Sequence, residues 1–139
     1  MASLRKLVES AFVGYLDTLG LSATVYSGVD ADTKDAPAVI VKLAQATEEP
    51  QFSGDYKCTV EVSCKSIAAD GDTDHDALCV AVRDALWDSD LPAYLQQEQT
   101  GLRVFGLAAP HQLNFDVDGD CWVETQTVEL WCAAHEFAA

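Results

Sequence analysis

Two runs of alternate aspartates stand out among the residues able to hold a ligand: Asp70, Asp72, Asp74 and Asp76, then Asp116, Asp118 and Asp120. Calcium takes several carboxylate oxygens from one tight loop, and an EF-hand loop wants glycine at position six and glutamate at position twelve. Counted from Asp70, those places hold His75 and Ala81; counted from Asp116, they hold Cys121 and Thr127. Neither run fits, so these aspartates are expected to be solvated turn and cap residues. His75 and Cys79 stand four apart, the spacing that shares a helix face. They offer half of a zinc site, or a thiol beside its base. Zinc would need two further ligands, and His111 and His135 stand alone near strand or chain ends. Thiol or serine hydrolysis would need an oxyanion-forming turn, and no glycine-flanked elbow occurs. Phosphate-loop and dinucleotide glycine motifs are absent as well. The residues therefore predict a chain with no catalytic residue, no metal and no cofactor. Trp122 and Trp131 differ by nine positions, which puts them on opposite faces of one strand and breaks up any stacking platform. With Trp87, they are expected in the core or at a subunit interface.

Several elements must position these residues. Leu4, Leu7, Val8, Ala11, Phe12, Tyr15, Leu16 and Leu19 draw one apolar stripe at helical spacing, with Ser3 as N-cap and Gly20 at the C-terminal end. Arg5, Lys6, Glu9 and Asp17 occupy the opposite, solvent-directed face. Strands are expected over residues 23–27 and 38–44, and a hairpin connection over 47–54. Residues 56–65 alternate strictly: Tyr56, Cys58, Val60, Val62 and Cys64 on one face, Lys57, Thr59, Glu61, Ser63 and Lys65 on the other. Cys58 and Cys64 share that face roughly 20 Å apart, so they cannot bond within it. An acidic loop over 70–76 leads to a second helix capped by Asp74, with Ala77, Leu78, Ala81, Val82, Ala85 and Leu86 as its buried stripe. A short helical turn follows Pro92. Residues 102–107 and 111–117 read as two strands around Pro110, an Asp118-Gly119 turn follows, and 121–133 is a long final strand. This order argues for an α+β fold in which an antiparallel β-sheet is flanked by two main α-helices.

At 139 residues the chain has the length of one domain and enough material for a core. Eight Lys and Arg against 23 Asp and Glu leave a net charge of −15. Such a surface repels phosphate, which argues against sequence-specific nucleic-acid binding and against anionic membranes. No apolar run approaches the ~18 residues of a membrane span. Arg5 and Lys6 imitate the start of a signal peptide, but Glu9 interrupts the apolar run and no cleavage site follows. Cys58, Cys64, Cys79, Cys121 and Cys132 are odd in number and irregularly spaced, as expected of reduced thiols in a cytosolic setting.

The whole succession has a counterpart. An amphipathic first helix precedes Val25-Tyr26-Ser27-Gly28 and the strand Pro37-Ala38-Val39-Ile40-Val41. An alternating strand, a helix spanning Asp76 to Leu86 and a long terminal strand complete it. From about Leu4 to Cys132, this resembles the tail terminator (tail-completion) proteins of long-tailed bacteriophages and their minor-tail and neck relatives. The resemblance implies a non-enzymatic virion subunit that forms a ring, typically a hexamer, between the tail tube protein and the head-tail connector. It implies a place in the virion tail or neck, and in the host cytoplasm during assembly. It carries over no catalytic residues.

Within that reading, the strand over 121–133 and the loop over 28–35 are expected to contact a neighbouring subunit, with Trp131, Trp122, Leu130 and Val128 as interface residues. Asp30, Asp32, Asp35, Asp70, Asp72 and Asp74 are expected to line an acidic bore through which DNA passes without sticking. A cytosolic acidic binding or inhibitor module, acting on a basic partner, is the competing expectation.

Overall fold

The computed structural model describes residues 3–28, 35–51 and 53–134. Helix α1 (Leu4–Asp17) begins where the Ser3 hydroxyl accepts the Lys6 N–H at 3.1 Å, satisfying one orphan donor of the first turn. It ends at Thr18, whose hydroxyl donates to the Tyr15 carbonyl; Gly20, at φ 67°, lies beyond the cap rather than forming it. Strands β1 (Thr24–Ser27), β2 (Ala38–Glu48) and β3 (Asp55–Ile67) follow. A 3-10 turn over Ala68–Asp70 leads into α2 (Asp72–Leu86). The cap of α2 is Gly71, at φ 87°, and not Asp74, which already belongs to the first turn with Asp72. Those two carboxylates sit well there, beside the positive end of the helix dipole. Helix α3 (Leu91–Glu98) starts with Pro92 in its first turn, and β4 (Leu102–Asp118) and β5 (Cys121–Ala134) complete the chain.

The fold is α+β, as the pattern predicts. Five strands form one sheet in the order β1-β2-β3-β5-β4, antiparallel throughout except for the parallel pair β1–β2. The two strands expected around Pro110 are one: β4 pairs with β5 on both sides of an irregularity between Ala108 and Gln112. The turn joining them is Gly119-Asp120, because Asp118 and Cys121 are register partners. Strand β5 is interior, held by β3 on one side and β4 on the other, so it has no free edge for a neighbour.

Alternation in β3 holds from Lys57 to Cys64 and breaks at its end, where Lys65, expected on the open face, is buried. Cys58, Val60, Val62 and Cys64 are completely buried, while the opposite face is half-buried or polar. All three helices contribute to the single core cluster on that face, α1 through Phe12 and Leu16, α2 through Val82 and Leu86, α3 through Leu91 and Leu95. Tyr15 of α1 stacks on Tyr94 of α3, with ring centroids 4.9 Å apart. Among the described residues, no helix is long and apolar enough to cross a membrane.

Candidate functional site

His75 and Cys79 come together as their spacing requires. The Cys79 sulfur lies 3.6 Å from Nε2 of His75, and Nδ1 of the same ring is hydrogen-bonded to the Ser66 hydroxyl at 2.8 Å. Trp122 meets the ring edge-on at 5.7 Å between centroids. Ser66 and Trp122 are register partners on β3 and β5, so the sheet holds two sides of the imidazole and α2 supplies the third. A cavity of about 140 Å³ beside it is lined by Ser22, Pro37, Gly71 and Asp74 as well as Ser66 and His75. The Cys79 thiol is pushed far above the ordinary range, first by its hydrogen bond with Cys64, then by burial and by Glu124. A thiol held protonated and 5% exposed is a poor nucleophile and a poor metal ligand. The group ties the first two turns of α2 to the sheet. Among the described residues, no three His, Cys, Asp or Glu side chains gather as a metal site. His135 lies outside the described residues, and His111 stands within β4.

The acidic residues sort by position. Asp30 and Asp32 lie outside the described residues. Asp35 is exposed just before β2, Asp70 ends the 3-10 turn, and Asp72 and Asp74 are exposed on the first turn of α2. The expected acidic loop over 70–76 is thus mostly helix. Pro37, Gly71 and Asp74 line one cavity, which brings the segment before β2 and the start of α2 to the same end of the molecule. The β4–β5 turn joins them there, since the Asp120 carbonyl accepts the Ala68 N–H at 2.8 Å.

The four proposed contact residues divide. Val128 and Leu130 are fully buried in the core and have no surface to offer a neighbour. Their side chains point at the helices, because they oppose Val60 and Cys58 across the β3–β5 pair. Trp122 and Trp131 are partly exposed on opposite faces, as their odd separation predicts. Trp131 lies under the Lys57 ammonium at 5.7 Å, and Lys57 pairs with Glu129 at 3.5 Å.

Two features escape the sequence reading. Glu9 is 3% exposed, not solvated: its carboxylate accepts the Leu43 N–H at 2.8 Å and pairs with Arg5 at 3.2 Å. It closes the outer edge of β2 just past the end of β1. The second feature is an exposed apolar row on β4, made of Leu113, Phe115 and Val117. Its signal was present as a short alternation, Leu-Asn-Phe-Asp-Val.

No protein-family model matches the sequence, and no curated protein matches it. Among solved structures, the chain is similar to one from the virion of a native gene transfer agent particle. The TM-score is 0.55 at 21% identity, over 86% of this chain and 84% of that one. At that identity the likeness establishes a common fold.

Proposed function

We propose that this chain is a structural subunit of a phage-like virion, and more narrowly a tail-completion protein that forms a ring where the tail tube meets the head. The observation that carries the reading is the fold shared, over nearly its whole length, with a chain of a gene transfer agent virion. Two features of the molecule support it. The Ser66–His75–Cys79 group is tied into packing and Cys79 is not poised as a nucleophile, which favours a non-enzymatic reading. The sheet also ends in a long strand, β4, whose edge and apolar row invite pairing. Its partners in this reading are further copies of itself, six to a ring, with the tail tube protein on one side and the head-tail connector on the other.

The acidic end formed by Asp35, Asp72 and Asp74 faces the bore in this arrangement. There its charge keeps DNA from adhering during passage. Negative-stain imaging of the purified chain mixed with tail tubes tests the reading. Rings with an axial hole seated on tube ends are expected, and tubes that stay uncapped at every concentration and salt level overturn it. A ring reconstruction that puts the start of α2 on the outer rim overturns the bore assignment alone.

A further inference from the structure

Four of the exposed large apolar side chains, Phe105, Leu113, Phe115 and Val117, belong to β4. Leu113, Phe115 and Val117 are 36%, 73% and 64% exposed and share one face. They oppose Gln126, Glu124 and Trp122 of β5, on the side of the sheet that carries the helices. The Gln126 amide donates to the Cys79 carbonyl of α2, which ties that helix to the strand beside the row.

Edge strands are normally blunted by prolines, bulges or inward charges. In β4 these devices lie upstream, at Pro110 and at the register shifts between Val104 and Gly106 and between Ala108 and Gln112. Residues 112–118 pair with β5 without a break. The Val117 N–H donates to the Asp116 carboxylate at 2.8 Å and not to β5, so it points away from the sheet. Backbone direction alternates along a strand, so Leu113 and Phe115 direct their N–H and C=O outward as well. The same three residues thus present both the apolar row and the unused ladder positions.

We propose that residues 112–118 are a self-pairing edge: a second copy of this chain adds its own β4 antiparallel across a two-fold axis, with Phe115 opposite the second copy's Phe115. The segment is self-complementary in that register. Leu113 meets Val117 on either side of the central phenylalanine pair, which makes one continuous apolar strip. On the opposite face Asn114 meets Asp116, so an amide and not a second carboxylate stands across from each charge. Each of the three opposed pairs exchanges two backbone hydrogen bonds, the Val117 N–H giving up the Asp116 carboxylate for the facing Leu113 carbonyl. A seven-residue strand pairing is a contact at the small end of specific interfaces, so a reversible, concentration-dependent dimer is expected. Two chains of net charge −15 repel each other, so added salt tightens the dimer. The inference concerns the free chain and stands apart from the particle reading. Under that reading, the dimer covers the edge until a ring neighbour takes it.

Sedimentation velocity on the full chain tests this at ~50 and ~500 mM salt, where the screening length shortens severalfold. A reversible dimer that tightens about tenfold at the higher salt is expected. Phe115→Glu is expected to be monomeric with an unchanged thermal midpoint, since the side chain is largely in solvent. Register is tested in a Cys121→Ser background with oxidised glutathione as the oxidant. Phe115→Cys should cross-link two chains, because opposed residues of a hydrogen-bonded pair lie ~5.5 Å apart at Cα. Leu113→Cys should not, since its two copies lie about 13 Å apart. A chain that stays monomeric at high salt, a dimer indifferent to Phe115→Glu, or equal cross-linking at both positions overturns the proposal. None of these outcomes bears on whether tail tubes are capped.

Discussion

Glu9 shows how much one side chain can decide. Its carboxylate serves the Leu43 N–H and the Arg5 guanidinium at once, in a site almost closed to water. Glu9→Ala leaves the Leu43 donor without a partner and is expected to cost about 2 kcal/mol in denaturant unfolding. Glu9→Gln keeps an acceptor for that donor and loses only the half-exposed ion pair, so it should cost less than about 1 kcal/mol. A helical wheel cannot reveal this role, because it does not know where a sheet edge will place an unpaired N–H. Gln126 is the reverse case. It is fully buried, and its Oε1 has no partner. Gln126→Met removes that orphan but also the Nε2 hydrogen bond to the Cys79 carbonyl, so the two effects offset and stability should change by less than about 1 kcal/mol. The thiols set an alkaline limit. Cys79 is raised by Cys64, burial and Glu124, and Tyr15 by burial, Asp88 and Tyr94, above reference values of 9.0 and 10.0. A raised folded-state value gives stability that is complete below the reference value and is lost as pH rises through the folded one. Thermal midpoints should therefore hold near neutrality and fall above about pH 9, and Cys79→Ala should flatten the early part of that fall.

At the scale of elements, local pattern was readable and partnership was not. The period-two run in β3 identified its core face residue by residue, because burial on one side forces the alternation. Helix α1 and its Ser3 cap were equally legible. The last strand is interior, where its apolar pattern suggests an interface. Val128 and Leu130 carry the apolar signature of an interface and of an interior strand alike, and only the order β3-β5-β4 tells them apart. Pro110 split β4 in two on the page, while pairing with β5 on both sides of the irregularity keeps it one strand. The parallel β1–β2 pair has no local signature at all. Helix α3 has only eight residues, too few to stand without tertiary support. Its attachment is Leu91 and Leu95, both fully buried, and the Tyr94–Tyr15 stack. Leu95→Ala should cost about 2–5 kcal/mol, through lost contacts and the cavity left behind. Hydrogen exchange should show the protection loss concentrated in α3 and the facing turns of α1.

For the whole molecule, charge and shape are the properties that matter. A net charge of −15 strains the compact state by self-repulsion. Raising the ionic strength from ~10 to ~150 mM shortens the screening length from about 30 to about 8 Å, and should raise the thermal midpoint by a few degrees. The exposed Asp35, Asp72 and Asp74 and the β4–β5 turn lie at one end of the molecule, where the apolar row of β4 ends. The central claim is that this chain works as a fixed part at one end of a phage-like tail. Immunogold electron microscopy of particles released by the source cell, with antibody raised against the purified chain, tests it most directly. Label confined to the junction of head and tail is expected. Particles that carry no label while the chain remains in the soluble fraction would contradict it.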